Sequence, residues 1–161
     1  MRFVLDKACE QAVWYGRGPL ETYPDCKEGN AIGCWEKNVE DFYFPYVLPQ
    51  ETGNHEDTRW AAFVTEAGNG ICIASDKEFS FGALHYTQEN LTQATHTNEL
   101  HRTENIQLSV DYAQHGLGSA SWGAECLEKD KLYPEPFTFT WKIFGTEKES
   151  LAERAEQYRR K

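Results

Sequence analysis

The sequence lacks the features that mark several common classes of protein. Its five cysteines form no C-x-x-C pair and no spacing typical of a zinc site, and their odd number predicts free thiols in a reducing compartment. The formal net charge is −10, and no Lys/Arg cluster occurs before the last few positions, which argues against nucleic acid as a partner. No apolar run approaches the length of a membrane span, and a charge follows Met1 too soon for a signal peptide. These absences predict a soluble cytoplasmic protein with no membrane partner.

Motifs of several reaction classes are also missing. The chain has no glycine-rich phosphate loop and no serine-centred elbow. His96 and His101 are the only close histidine pair, and their spacing fits neither one face of a strand nor one face of a helix. No cysteine lies at a glycine-rich helix start that would lower its thiol pKa. Among 26 acidic residues a pair of carboxylates suited to glycoside hydrolysis can always be imagined, so acid count alone indicates nothing.

Aromatic residues and turn signals are abundant. Five Trp, eight Tyr and nine Phe in 161 residues favour β-structure, and this length can bury a core without disulfides or metals. Alternation of Ile106, Leu108 and Val110 with polar residues predicts a half-buried strand. Residues 68–70 (G-N-G) predict a hairpin turn, and residues 137–144 predict the cleanest strand, closed by Gly145. Ten or so short strands predict an all-β antiparallel sandwich.

Other segments interrupt this pattern. Two prolines in residues 42–49 predict an edge strand or a bulged, extended segment, and residues 87–94 predict a helical turn. In the tail, Thr146 with Glu149 fits a capping box, and an apolar stripe predicts a helix from about Glu147 to Arg159. The stripe is narrow, which predicts loose packing or a contact with another chain. We therefore divide the chain into a sandwich (residues 1–145) and a helical tail (residues 146–161).

Trp122 lies in a run of small residues, 114–123 (Q-H-G-L-G-S-A-S-W-G), that offers it few local neighbours. An indole presents a flat apolar face and one N–H donor, which suits the apolar face and hydroxyl rim of a sugar. The alternative is that Trp122 folds back into the core, as most tryptophans do, and composition alone favours that alternative.

A second candidate segment is the proline-punctuated connector around Arg17, Glu21 and Asp25. Its charges can pair with one another and so satisfy a rigid loop, or they can present a carboxylate to a ligand. On sequence alone the first interpretation is favoured.

The string at residues 14–25, W-Y-G-R-G-P-L-E-T-Y-P-D, strongly resembles the W-x-G-x-G-P-x-E-x-Y-P-D signature in the last domain of the large bacterial β-galactosidases of glycoside hydrolase family two. The resemblance covers about residues 10–144. It continues through residues 46–54 (Y-V-L-P-Q-E-T-G-N), 58–60 (T-R-W), Leu91 with His96, 100–101 (L-H), 116–118 (G-L-G) and 121–122 (S-W).

The resemblance implies a large antiparallel supersandwich similar to galactose mutarotase. It also implies that the catalytic glutamates and the magnesium and sodium sites belong to a separate barrel domain, so that this chain holds no catalytic residue, no metal and no cofactor. Trp122, with its neighbour Ser121, is the implied substrate-binding site. The first half of the sandwich is expected to lie outside this chain, which is then either an excised piece or a fragment that pairs with another chain.

We therefore expect a C-terminal β-galactosidase domain that shapes the active-site rim. Its partners would be a β-galactoside and a catalytic barrel domain or large subunit, and we expect an oligomer. The intact enzyme would hydrolyse terminal β-D-galactosides with retention, while the fragment alone would be inactive. Two alternatives remain: a stand-alone carbohydrate-binding or mutarotase-like module, for which His85, His96, His101 and Glu104 are the candidate acid/base residues, and a purely structural assembly domain.

Overall fold

The computed structural model of the chain describes residues 1–118 and 125–159. Its strands are β1 (Arg2–Leu5), β2 (Gln11–Gly18), β3 (Ala31–Asn38), β4 (Asn54–Val64), β5 (Asn69–Leu84), β6 (Ile106–Asp111) and β7 (Trp141–Glu147). Two α-helices accompany them, α1 (Gln88–Gln93) and α2 (Leu151–Arg159). No helix of these two ranges has the length and apolar character needed to cross a membrane.

All strand pairs are antiparallel, and the sheet order is β1-β6-β5-β4-β2-β3, with β7 also paired to β5. The long strand β5 organises this sheet. Strand β4 lies along one edge of β5, while the other edge pairs with β7 over residues 69–75 and with β6 over residues 80–84. The predicted all-β antiparallel class with a short C-terminal helix is confirmed, although the described residues form seven strands rather than about ten.

The two faces of the sheet carry two separate cores, because successive side chains of a strand point to opposite sides. On β2, Ala12 and Trp14 belong to the larger core, whereas Val13 and Tyr15 pack against the smaller one. Helix α2 covers this second face: its residues Leu151 and Ala155 are 3% and 0% exposed and pack with Trp60, Ala62, Cys72 and Ala74. The helix is thus an integral layer of the fold, and the expectation of loose packing is wrong.

The C-terminal boundaries differ from the sequence prediction. Strand β7 begins at Trp141 and continues through Gly145, because pairing of Gly145 with Ile71 and of Thr146 with Gly70 extends the ladder. Phe137 lies before the strand, where its ring stacks on Tyr112 with centroids 4.5 Å apart. The α-helix begins at Leu151, after a 3₁₀ turn at Lys148–Ser150, and no side chain caps that turn.

In other parts of the chain, the turn signals predicted the local structure correctly. Gly68 has φ +83° between β4 and β5, as the hairpin prediction requires. In the predicted helical turn, the Thr87 hydroxyl caps α1 by accepting a hydrogen bond from Asn90 N at 3.1 Å. Residues 43–49 form no strand, in agreement with the extended alternative for this proline-containing segment, and a 3₁₀ turn at Val39–Phe42 precedes them.

Candidate functional site

The residues predicted to bind sugar, Ser121 and Trp122, lie outside the described residues. The structure does describe the chain that leads to them, up to Gly118, and the chain that follows, from Glu125. We call residues 115–118 the entry segment and residues 125–132 the exit segment.

The carboxylate of Asp25 holds the entry segment. Leu117 N donates to Oδ1 at 3.1 Å and Gly118 N donates to Oδ2 at 2.6 Å, across more than 90 residues of sequence. Gly118 has φ +72°, a conformation that glycine adopts without strain. Asp25 therefore joins the Y-P-D and G-L-G motifs, which are far apart along the chain.

Close packing fixes the entry segment against the exit segment. A Cβ atom at Gly116 would lie 3.0 Å from Asp25 Cγ and 3.0 Å from Cys126 Cβ, so only glycine fits there without displacing a neighbour. Gly116 N donates to the carbonyl of Asp130 at 2.9 Å. Leu132 N donates to His115 Nδ1 at 3.0 Å. The entry segment and the exit segment are thus hydrogen-bonded and packed against each other.

Glu21 organises a different part of the same signature. Its carboxylate accepts hydrogen bonds from the Tyr46 hydroxyl, from Thr52 Oγ1 at 2.9 Å and from Gly53 N at 2.7 Å. Burial, followed by the hydrogen bond to Glu21, raises the pKa of Tyr46, so this hydroxyl stays a donor. The Glu21 carboxylate therefore links two motifs and is not presented to a ligand.

Arg17 pairs with neither Glu21 nor Asp25, so the predicted pairing within the connector is wrong. Its Nε lies 2.5 Å from Asp57 Oδ2, and Lys27 Nζ lies 2.7 Å from Asp57 Oδ1. Burial alone would raise the pKa of Asp57, but hydrogen bonds from Arg17 and Lys27 outweigh it and hold that pKa below its usual value. Asp57, which proximity in sequence does not indicate as a partner of Arg17, lies on β4, some 40 residues away.

The candidate residues of a mutarotase-like centre do not converge. His85 is 3% exposed, and its Nε2 lies 2.9 Å from Glu10 Oε2. His96 interacts with Glu99, and Glu104 with Lys7. His101 is exposed on the surface. This arrangement places one histidine in the interior and the other candidates at the surface, which does not support an acid/base site.

In the described part of the chain, one group of three side chains has the donor atoms and spacing for a metal ion: Glu10, Glu40 and His85. Protein donors already occupy two of these groups, since Arg102 binds the Glu40 carboxylate and Glu40 N donates to Glu10 Oε1 at 2.8 Å. The arrangement fits a structural network better than a metal centre.

The cysteines bear out the prediction of free thiols, because all five are unpaired. Burial raises the pKa of the Cys72 thiol to about 12, which makes this residue a poor nucleophile. Burial likewise raises the pKa values of Cys9, Cys26 and Cys34.

Comparison with known proteins identifies the family of the chain. The family model described as the β-galactosidase small chain matches residues 1–143. The chain belongs to this family. It is 34% identical to a β-galactosidase of Staphylococcus xylosus over 139 residues and 38% identical to β-galactosidase BgaC of Bifidobacterium adolescentis over 123 residues. A β-galactosidase of Kluyveromyces lactis is 34% identical over 143 residues.

These alignments cover 86%, 74% and 88% of this chain but only 14%, 12% and 14% of the respective relatives. The chain therefore corresponds to a small part of each relative and is a β-galactosidase small-chain region. The relatives contain a much larger remainder that this chain does not include.

Sequence reasoning missed the contact between Asp25 and the entry segment. The only sequence signal for this contact is that Asp25 and Gly118 both belong to motifs of the same family resemblance. The residues of either motif do not by themselves indicate that the two are in contact. The buried pair of Asn54 and Glu56, joined at 2.8 Å, was missed as well.

Proposed function

We propose that this chain is the C-terminal domain of a β-galactosidase and completes the rim of an active site whose catalytic groups lie in the remainder of the enzyme. The match to the small-chain family over residues 1–143 carries this proposal. Three described carboxylates add support, because Glu21 and Asp25 of the 14–25 motif and Asp57 of β4 are each engaged by donors of this chain. None of these three is left free to act as acid or nucleophile.

In the proposed enzyme, a catalytic barrel domain or large subunit supplies two carboxylates. One acts as acid/base and the other as nucleophile, about 5–5.5 Å apart, so that a terminal β-D-galactoside is hydrolysed with retention. Magnesium and sodium belong to that catalytic part. Trp122 of this chain provides an apolar face for the sugar, and Ser121 provides a hydroxyl beside it. We place the enzyme in the cytoplasm because the five thiols are unpaired, and we propose that it is an oligomer.

The 161-residue chain alone is expected to show no turnover of a chromogenic β-galactoside, because its described motif carboxylates serve the fold. The measurement compares the purified chain with the full-length enzyme at equal molar concentration. Activity that follows the chain through successive columns, and that disappears on substitution of one of its own acids, would contradict the proposal.

In the full-length enzyme, Trp122→Ala is expected to weaken binding of substrate or of a galactoside inhibitor by about 1–3 kcal/mol, roughly 5- to 150-fold. The reason is the loss of one large apolar face at the sugar. Inhibition constants, KM, kcat and the melting temperature would be measured on the same preparation, with Trp122→Phe as a variant that keeps a flat face.

The control is Phe44→Ala, which removes an aromatic ring that is 52% exposed and lies outside the loop. It should leave binding unchanged. If Trp122→Ala lowers thermal stability strongly while KM and inhibitor binding stay constant, Trp122 is a core residue and the chain acts as a structural assembly domain.

A further inference from the structure

We propose that Cys126, held against the imidazole of His115, is a thiol–disulfide exchange site, and that its modification by a small disulfide loosens the contact between the entry and exit segments. The thiol belongs to the exit segment and the imidazole to the entry segment, 11 residues apart in sequence. Both residues lie in the described part of the chain. This inference goes beyond the proposed function and does not depend on it.

Hydrogen bonding fixes which nitrogen of His115 carries the proton. Leu132 N donates to Nδ1 at 3.0 Å, and a backbone N–H can only donate, so Nδ1 is the acceptor. The proton of the neutral imidazole therefore lies on Nε2, which is 3.4 Å from Cys126 Sγ. His115 thus directs an N–H donor at the sulfur and is not placed to act as a base for the thiol proton.

This geometry favours one kind of thiol chemistry. An N–H donor stabilises negative charge on sulfur, and the thiolate is the form of cysteine that attacks a disulfide. Acyl transfer would need an imidazole nitrogen free to accept a proton, and Nε2 already carries one. Thiol–disulfide exchange needs only the nucleophile and an accessible sulfur, and Cys126 is partly exposed.

Two carboxylates of the exit segment that are close to Cys126 in sequence are paired with a cation. Glu125 and Glu128 would oppose negative charge on the sulfur, but Lys131 Nζ lies 3.1 Å and 3.2 Å from their Oε2 atoms. The Tyr133 hydroxyl also donates to the Glu128 carboxylate. These contacts reduce the repulsion that a thiolate at Cys126 would experience.

In the exchange, Cys126 loses its proton to water and its sulfur attacks one sulfur of a small disulfide. A new S–S bond forms at Cys126, the S–S bond of the reagent breaks, and the other half of the reagent leaves as a thiolate that takes a proton from water. Cys126 is oxidised and the released half of the reagent is reduced. A reducing thiol reverses the reaction by the same route.

The packing around Cys126 gives this modification a structural consequence. A Cβ atom at Gly116 would lie 3.0 Å from Cys126 Cβ, so the two segments are in close contact at this point. In the same region, Gly116 N donates to Asp130 O at 2.9 Å and Leu132 N donates to His115 Nδ1 at 3.0 Å. A mixed disulfide adds bulk at the sulfur and leaves no charge there for the Nε2–H group to stabilise. We therefore expect these two backbone hydrogen bonds to weaken.

Other cysteines of the same chain provide an internal control. Cys26 and Cys34 are exposed, whereas Cys126 is only partly exposed. Accessibility alone therefore predicts that Cys26 and Cys34 react before Cys126. The hydrogen bond from His115 predicts the opposite order.

The test treats the full-length protein that contains this chain with dipyridyl disulfide and measures the rate at each cysteine by peptide mass spectrometry. We expect Cys126 to react at least about threefold faster than Cys26 and Cys34 in the folded protein, and at a similar rate to them in urea. The expected gain is about three- to tenfold, because the donor stabilises the thiolate while a stabilised thiolate is a weaker nucleophile.

Variants assign the effect to the imidazole. His115→Ala should slow the reaction of Cys126 about three- to tenfold and leave that of Cys34 unchanged. His115→Gln should slow it less, because its amide offers one acceptor and one donor. His96→Ala is the control: this exposed histidine pairs with Glu99, and its loss should change neither rate. If His115→Ala does not fold, His115→Gln and the comparison in urea decide.

Hydrogen exchange measures the structural consequence. After modification, the amides of Gly116 and Leu132 should exchange faster while β6 stays protected, and reduction with dithiothreitol should restore the original rates. Cys126→Ser, treated in the same way, controls for modification of other thiols and should show no change at these two amides.

The proposed exchange site is overturned if Cys126 reacts no faster than Cys34, if its higher rate persists in urea, or if folded His115 variants react as fast as the parent. Unchanged exchange at Gly116 and Leu132 after modification would overturn the loosening of the two segments. None of these measurements depends on sugar binding, so failure here leaves the proposed function standing, and failure of the proposed function leaves this result intact.

Discussion

Trp14→Ala should lower the free energy of unfolding of this chain by about 3–5 kcal/mol, the usual cost of truncating a large buried aromatic side chain. Trp14 is 0% exposed, and its ring meets those of Phe42, His55 and Phe81 at centroid distances of 5.5, 4.5 and 6.0 Å. Its Nε1 also donates to the carbonyl of Arg17 at 2.9 Å. The substitution removes both the packing and this hydrogen bond, and urea denaturation followed by fluorescence and circular dichroism measures the loss.

Two variants separate these contributions. Trp14→Phe keeps an aromatic ring but removes the donor, so it should cost less than Trp14→Ala and still leave the Arg17 carbonyl without this partner. Trp35→Ala is the matched control, because Trp35 faces Trp14 across the β2–β3 pair but is only half-buried. A loss below about 1 kcal/mol for Trp14→Ala would show that the larger core does not depend on Trp14, and equal losses for Trp14→Ala and Trp35→Ala would show that the full burial of Trp14 adds nothing to its contribution.

The parts of the fold that sequence predicted correctly have local causes. Strand β6 alternates apolar and polar residues at period two, and the glycine at position 68 supplies the positive φ of the β4–β5 hairpin. Helix α2 follows from its apolar stripe. The start of β7 could not be read locally, because residues 137–140 have the same strand-like composition as the paired residues after them. Only the register against β5 distinguishes the two.

The candidate site shows the same limit. Trp122 can be singled out from its surroundings and from the family resemblance, because both are properties of a short stretch of sequence. The hydrogen-bond partner of Asp25 cannot be identified from the sequence. Gly118 is 93 residues away, and any backbone N–H of the chain is an equivalent donor until the fold is known. Arg17, Glu21 and Asp25 lie near one another in sequence, yet Arg17 of β2 pairs with Asp57 of β4, and Glu21 pairs with Tyr46 in the non-strand segment before β4, because the fold brings those distant residues together.

Acidification is expected to destabilise the fold through His55, whose side chain is 1% exposed among aromatic rings. Its Nδ1 lies 3.1 Å from the carbonyl of Gly53, which can only accept, so Nδ1 carries the proton. Its Nε2 is buried and has no hydrogen-bond partner among the described residues. Burial, the largest cause, lowers the pKa of His55 to about 3. The folded chain therefore keeps this imidazole neutral at pH values where the unfolded chain protonates it.

The sign and range of the effect follow from that shift. A histidine has an unfolded pKa of about 6.5, so the stabilising contribution of neutral His55 is complete above this pH and declines as the pH falls toward about 3. The slope approaches about 1.4 kcal/mol per pH unit only below the unfolded pKa, so the loss between pH 6.5 and 4.5 is about 2 kcal/mol. Glu51 and Glu56 oppose this trend, because burial raises their pKa values and their protonated forms favour the fold at low pH.

A variant isolates the contribution of His55 from these opposing groups. His55→Gln retains a donor for the Gly53 carbonyl but does not titrate, so its free energy of unfolding should fall by about 2 kcal/mol less than that of the parent between pH 6.5 and 4.5. His101→Gln is the control, because His101 is exposed, and it should preserve the parent's pH dependence. Urea denaturation at several pH values gives all three curves. Parallel curves for His55→Gln and the parent would mean that His55 becomes protonated within the folded chain without cost, and that the aromatic core around it admits a charge.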